Sequence, residues 1–294
     1  MSAAELLITV VGILLVLFGA RDIFETLFHP EGRSTLGRLT VRAIWRLSRH
    51  TLGRHRDWFT LTGPLGLVAV IGSWATMLAI GWALIYLPHL PEAFHFGGRV
   101  EGGRLVDALN FSLVTLTTLG FGDVTPADTW LRLVTPIEAL LGFGLLTASI
   151  SWLLLIYPAL SRRRSLAYEV ALLRQAAEKG VGLDQLEPAG AESVLAELTS
   201  RLVTVERDFV SLPVSYYFPE SDERFALAAE APYLLDLAQH FSDHDDNGLR
   251  LRATLLGEAV DDFAATVGKL FQEPARENTK CRLDAFARDH LQKG

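Results

Sequence analysis

The chain has 294 residues, of which 50% are hydrophobic and 21% charged, with a formal net charge of −7 and a mean hydropathy of +0.26. That is too apolar for an ordinary soluble protein, and the apolar residues are unevenly spread. A single cysteine, Cys281, excludes an intrachain disulfide and offers no cysteine-based metal site. No nucleophile–base pair or catalytic metal constellation stands out, so the chain is not expected to be an enzyme.

In chain order, the first apolar stretch runs from Leu6 to about Phe28, with Arg21, Asp22 and Glu25 near its far end. Its opening, "MSAAE", carries Glu5 and no basic residue, unlike a secretory signal. It is read as a retained anchoring helix over residues 1–28. Asp22, Glu25 and His29 fall at i, i+3 and i+7 on one face; they either bind a metal or sense protons, or pair with Arg and lipid headgroups at the membrane edge.

Residues 29–61 form a basic segment in which Arg33, Arg38, Arg42, Arg46, Arg49, Arg54 and Arg56 are opposed only by Glu31 and Asp57. Arg38, Arg42, Arg46 and Arg49 share one helical face, as expected for a helix lying on anionic headgroups or packed beside the membrane. A voltage sensor would need its Arg row inside a span, and Ser34, Thr40, Ser48 and His50 speak against that.

Gly63–Leu87 contains no charge and is long enough to cross a bilayer. Leu133–Leu160, with Glu138 as its one ionisable residue, is a further span, and Arg162, Arg163 and Arg164 follow it directly. The two basic clusters agree on topology: amino terminus outside, 29–61 inside, 88–132 outside, tail inside. This places the chain in the plasma membrane as a multi-pass protein in contact with lipid.

Between these spans, "PHLPEAFHFGGRVEGGR" reads as a surface loop. "LVDALNFSLVTLTTLG" is apolar but too short to cross, which predicts a half helix over Val106–Leu116 that re-enters and returns as extended chain through "TLTTLGFGD", Thr115–Asp123. Irregular backbone at membrane depth must be buried in protein or line a water-filled path. The carbonyls of Thr118, Leu119, Gly120 and Phe121, with the Thr118 hydroxyl, are therefore candidate ligands for a desolvated cation, and Gly120 and Gly122 permit the backbone angles that turn successive carbonyls to one axis.

"TTLGFGD" resembles the potassium-channel signature T-[TS]-x-G-[YF]-G-D, and the order span, half helix, filter, span resembles the pore module of that superfamily over about Gly63–Pro158. The resemblance implies a pore domain at 62–160; with the amino-terminal apolar span and the helical periodicity of the tail, the expected fold is an all-α membrane protein with an extra amino-terminal transmembrane helix and an α-helical cytosolic domain at 161–294. It implies a K⁺-selective homotetramer whose filter is Thr118, Leu119, Gly120, Phe121, Gly122 and Asp123, with K⁺ held by backbone carbonyls. Phe121 replaces the commoner Tyr, Asn110 and Phe111 stand where two Trp often form an aromatic cuff, and Val114 leaves Asp123 without the carboxyl partner found in some relatives. Gly142 and Gly144 in the last span are either a gating hinge or a site of close packing. Glu138 must face protein or water, behind the filter or near the cavity, as a structural brace or a gating proton site.

The tail shows helical periodicity over Leu166, Val170 and Leu173 and over Val194–Val205, a break at "SLPVSYYFPE", and further helices at 224–241, 247–271 and 274–291. No nucleotide-binding Gly motif follows a strand. "DHDDNG" matches the first half of an EF-hand loop through Asp243, Asp245 and Asn247, but Thr254 stands where the bidentate Glu belongs, so the turn either binds Ca²⁺ weakly or caps the helix from Asn247. Two other functions fit a membrane chain of this kind: a K⁺-transport subunit, which would carry four filter repeats, and a sensor with a non-conducting pore. No nucleic acid or small-molecule substrate is indicated, and the signal that opens the pore is not written in the sequence.

Overall fold

The computed structural model describes residues 2–28, 35–51, 61–97, 103–271 and 278–291. The chain is almost wholly helical: α1 (Ala3–Phe28), α2 (Thr35–Thr51), α3 (Thr62–Tyr86), α4 (Arg104–Leu116), α5 (Thr129–Glu178), α6 (Pro188–Ser211), α7 (Leu227–Phe241), α8 (Asn247–Phe271) and α9 (Thr279–His290). Two short strands, β1 (Phe94–Phe96) and β2 (Val124–Pro126), pair antiparallel with Phe94 opposite Pro126 and Phe96 opposite Val124. The stretch around β1 read as loop in the sequence, because a three-residue strand has meaning only beside its partner. α1, α3 and α5 are each long and apolar enough to cross a membrane. Among the described residues the chain forms two compact units, one from residues within 1–29, 33–41 and 67–154, the other from 42–66 and 155–294.

In the first unit, α1 and α3 approach at glycines. A Cβ on Gly12 would collide with the Gly81 carbonyl oxygen at 2.6 Å, and one on Gly81 with Val16 at 2.8 Å. Such contacts let membrane helices pack without a hydrophobic driving force between them. Asp22 is buried rather than displayed at the membrane edge: its carboxylate accepts hydrogen bonds from Trp74 Nε1 at 2.8 Å and from the Leu36 amide at 3.1 Å. The Leu36 amide belongs to the first turn of α2, whose amide groups lack helical partners, so Asp22 caps that helix from a distant part of the chain. Glu25 pairs instead with Arg21 at 2.7 Å. Asp22 and Glu25 thus have separate partners, and His29 lies outside the described residues.

α5 does not stop at the end of its apolar stretch. Nothing in "SRRRSLAYEVALL" breaks a helix, so it continues to Glu178, 50 residues and about 75 Å in all. The boundary expected at 160–161 therefore falls inside one helix.

In the second unit, α8 is central and packs along α6, α7 and α9. The buried residues of α6, Ala191, Leu195, Leu198, Leu202, Val205 and Phe209, recur every three or four positions and form one apolar stripe. The carboxy-terminal part of α5 joins this bundle through Leu166, Ala167, Val170 and Ala171, all buried. Arg162 forms a bidentate pair with Asp208, and Arg174 one with the buried Glu230 at 3.0 Å in both arms. α7 begins at Leu227 rather than 224, because Glu223–Phe225 forms a 3₁₀ turn in which Asp222 accepts a bond from the Arg224 amide. α9 begins at Thr279, where the Asn278 side chain caps it, and 272–277 lie outside the described residues.

The segment after α6 gathers several elements. Arg163 is buried and donates to the carbonyls of Ser215 at 2.8 Å and Phe218 at 2.5 Å and to Glu220 at 3.0 Å. Trp45 of α2 packs against Tyr216, Tyr217 and His290, with ring centroids 5.4–6.2 Å apart. The basic helix thus uses Trp45 to bind protein while Arg42 and Arg46 remain exposed. The Phe218 ring occupies the space beside Gly63, in the first turn of α3.

Candidate ion pathway

The half helix α4 buries Ala108, Phe111, Ser112 and Leu116, spaced so that one face meets the surrounding helices. It starts two residues before the expected Val106 and ends at Leu116 as expected. Its carboxy-terminal end, where the helix dipole is negative and favours cations, opens into the glycine turn.

That turn has a repeating backbone. Thr118 (φ 59°), Gly120 (φ 57°) and Gly122 (φ 77°) are left-handed, while Leu119 and Phe121 between them have negative φ. Alternating the sign of φ cancels the alternation of carbonyl direction in an ordinary strand, so successive carbonyls turn towards one side. For Thr118, which has a Cβ, that conformation costs about 1–2 kcal/mol. The amide groups of the turn are partly satisfied: Thr118 N donates to Thr115 O at 2.9 Å, and Leu119 N and Gly120 N share Val114 O at 3.0 and 3.4 Å. The carbonyls of residues 117–122 accept no hydrogen bond among the described residues. The far end is fixed where Gly97 N donates to Asp123 O at 2.7 Å, continuing the β1–β2 ladder. Leu119 and Phe121 are 61% and 68% exposed in the single chain.

Behind this turn lies an aromatic triangle of Phe111, Tyr86 and Phe94, meeting edge to face at 5.0–6.0 Å. The ladder that anchors Asp123 also delivers Phe94 to α4. Asn110 is exposed, so Phe111 alone of the two cuff positions packs into the scaffold.

Glu138 is fully buried. Ser112 Oγ lies 2.5 Å from Glu138 Oε1 and 3.0 Å from the Ala79 carbonyl, and Tyr86 OH donates to Glu138 Oε2 at 2.8 Å. The acid therefore stands behind the turn, joined to α4 and α3. Of the two glycines, Gly142 abuts the last carbonyl of α4, Leu116 O, and has no room for a Cβ, whereas nothing lies within 4 Å of one on Gly144. Gly142 is committed to close packing; Gly144 is not. Ser112, Tyr86 and Trp74 were not singled out from the sequence. A hydroxyl on the short half helix, together with an acid in the following span, was the signal for the Ser112–Glu138 pair.

Asp243, Asp245 and Asn247 lie far along the sequence from this site, at the start of α8. Asp246 accepts a bond from the Leu249 amide at 2.9 Å and caps the helix. Residues 247–254, which would have to wrap a Ca²⁺ ion, are the first two turns of α8, and Thr254 donates to Arg250 O within it. This turn does not have the form of an EF-hand loop.

Residues 69–155 match the family model described as "Ion channel". Over this segment the chain is similar to the ion channel family. The matched segment contains α4, the glycine turn, Glu138 and most of both flanking spans. An uncharacterised membrane protein of Bacillus subtilis (strain 168), YdjJ, is 30% identical over 165 residues, covering 56% of this chain and 48% of its own length. The chain thus spans about half the length of that curated relative. No solved structure matches.

Proposed function

We propose that the ion-channel domain conducts K⁺ selectively and passively as a homotetramer, and that the tail, on the cytosolic side, gates it. The observation that carries this reading is the alternating backbone of Thr118–Gly122, with consecutive carbonyls that no donor among the described residues satisfies. In a bilayer such carbonyls need another partner, and rings of oxygens replacing the hydration shell of K⁺ supply it. One chain contributes one such strand, and about four are needed to surround the ion. The exposed Leu119 and Phe121 side chains also need neighbours, which further copies provide. The arginine clusters support a cytosolic tail. Gating through the tail is supported by α5, which carries both the residues beside the filter and Arg163 at the aromatic segment.

Purified protein in liposomes with an imposed K⁺ gradient tests the proposal. Flux of K⁺ well above Na⁺, from particles with the mass of four chains, is expected. Absence of flux, or equal flux of the two ions, overturns it, and absence of flux would favour a sensor role.

A further inference from the structure

We infer that Glu138 is the positioning residue that sets the ion selectivity of the filter, acting through Ser112 on α4 and Tyr86 on α3; this rests on the channel reading above. The filter has little means of holding its own shape. Its inner end hangs on two carbonyls of α4, Val114 and Thr115, and its outer end on one bond from Gly97. Wherever α4 stands, the filter carbonyls follow, and selection between ions of similar radius depends on how those oxygens are held.

The contacts that place α4 fall into two kinds. Phe111 meets Tyr86 and Phe94, and Leu116 O lies against Gly142, which fix the distance of α4 from its neighbours but leave sliding along their surfaces cheap. Directional contacts come from Ser112, two residues before Val114, whose hydroxyl reaches both Glu138 and the Ala79 carbonyl. Tyr86 takes the second carboxyl oxygen, so one side chain of α5 ties the half helix to α3. Glu138 is fully buried and both its oxygens are engaged, and a polar contact enclosed in apolar surroundings is strong and geometrically exacting. Removing the carboxyl takes a partner from each hydroxyl, leaves Ser112 only the Ala79 carbonyl, and frees α4 to shift.

The test reads the K⁺/Na⁺ permeability ratio in liposomes, a quantity that loss of stability alone does not move. Wild-type protein is measured first; if it shows no K⁺ preference, the channel reading falls before this inference is reached. With a selective wild type, Glu138→Ala is expected to lower the ratio about tenfold. Glu138→Gln, which keeps an oxygen acceptor and a polar group of the same shape, is expected to retain most of it. Tyr86→Phe and Ser112→Ala each remove one hydroxyl with little change of volume and are expected to shift the ratio the same way by less. They decide the matter if Glu138→Ala does not assemble. An unchanged ratio in Glu138→Ala, or in both single-hydroxyl variants, overturns the inference. So does an equal shift in Leu131→Ala, which opens a cavity on the same helix without touching the network.

Discussion

Two irregular stretches of this chain treat their backbone carbonyls in opposite ways. In Thr117–Gly122 no donor reaches them among the described residues, and the conformation is held at a cost in left-handed φ. In the segment after α6, the carbonyls of Ser215 and Phe218 accept from Arg163, and that of Tyr216 lies 2.7 Å from His290 Nε2. Both stretches contain a glycine- or proline-punctuated aromatic sequence; the first is neither helix nor sheet, and the second holds only a short 3₁₀ helix, Pro213–Tyr217. The difference teaches what irregular backbone is for: where the protein supplies donors, the segment is a structural knot, and where it withholds them, the segment is prepared for something else to bind.

Breaking the knot should have the largest effect. Arg163→Ala leaves the Phe218 carbonyl without its donor and Ser215 O with only the Phe218 amide at 3.4 Å, while Glu220 keeps Arg164 at 2.8 Å; a loss of about 3–5 kcal/mol from the tail is expected as a lowered melting temperature in detergent. Arg163→Lys, a single point donor in place of a fork, should recover only part of it.

His290 tests the same knot by pH. Burial pushes its imidazole down from 6.5 to about 4, so the folded tail holds it neutral. As pH falls from about 6.5, the unfolded chain takes up a proton that the folded one refuses. Stability is therefore lost progressively down to about pH 4, by on the order of 3 kcal/mol, and is unaffected by this group above pH 7. Melting of the wild type against a His290→Phe variant over that window measures it, and the variant should lack the slope.

The glycine turn responds differently. Within this chain a Cβ on Gly120 meets nothing within 4 Å, so Gly120→Ala acts through φ alone. The strain of about 1–2 kcal/mol is too small to unfold the protein but falls on the carbonyls themselves. K⁺ flux should be lost while melting of the tail is unchanged; loss of both together would erase the contrast between the two stretches.

The smallest effect is expected at Asp22. Asp22→Asn keeps an acceptor for Trp74 but turns a donor to the Leu36 amide, losing that bond and the charge at the start of α2, at a cost of about 1 kcal/mol. A larger loss would mean that this cap holds the first unit together more firmly than the bonds to Trp74 and Leu36 indicate.

Much of the first unit was legible in the sequence because its determinants are local. Span lengths follow from runs of apolar residues, the end of α4 from the Thr and Gly that follow it, and the glycine turn from residues whose backbone preferences act on their own φ. The helices of the tail were legible for the same reason, since their apolar residues recur with the helical period. The sequence also made Glu138 conspicuous, by placing one acid in a span that otherwise has none.

Tertiary structure alone decided the rest. The β1–β2 pair, the aromatic triangle and the bonds from Ser112 and Tyr86 to Glu138 are tertiary contacts; the two hydrogen bonds join residues 26 and 52 positions apart, and partners at such separations leave no periodic trace. Asp22 looked like a surface charge because composition reports that an acid is present, not which way it points. Gly142 and Gly144, identical in sequence context, diverge because only one of them lies where another backbone must pass. Local chemistry wrote the elements and the glycine turn, and close packing between distant segments chose which polar groups would hold that turn in place.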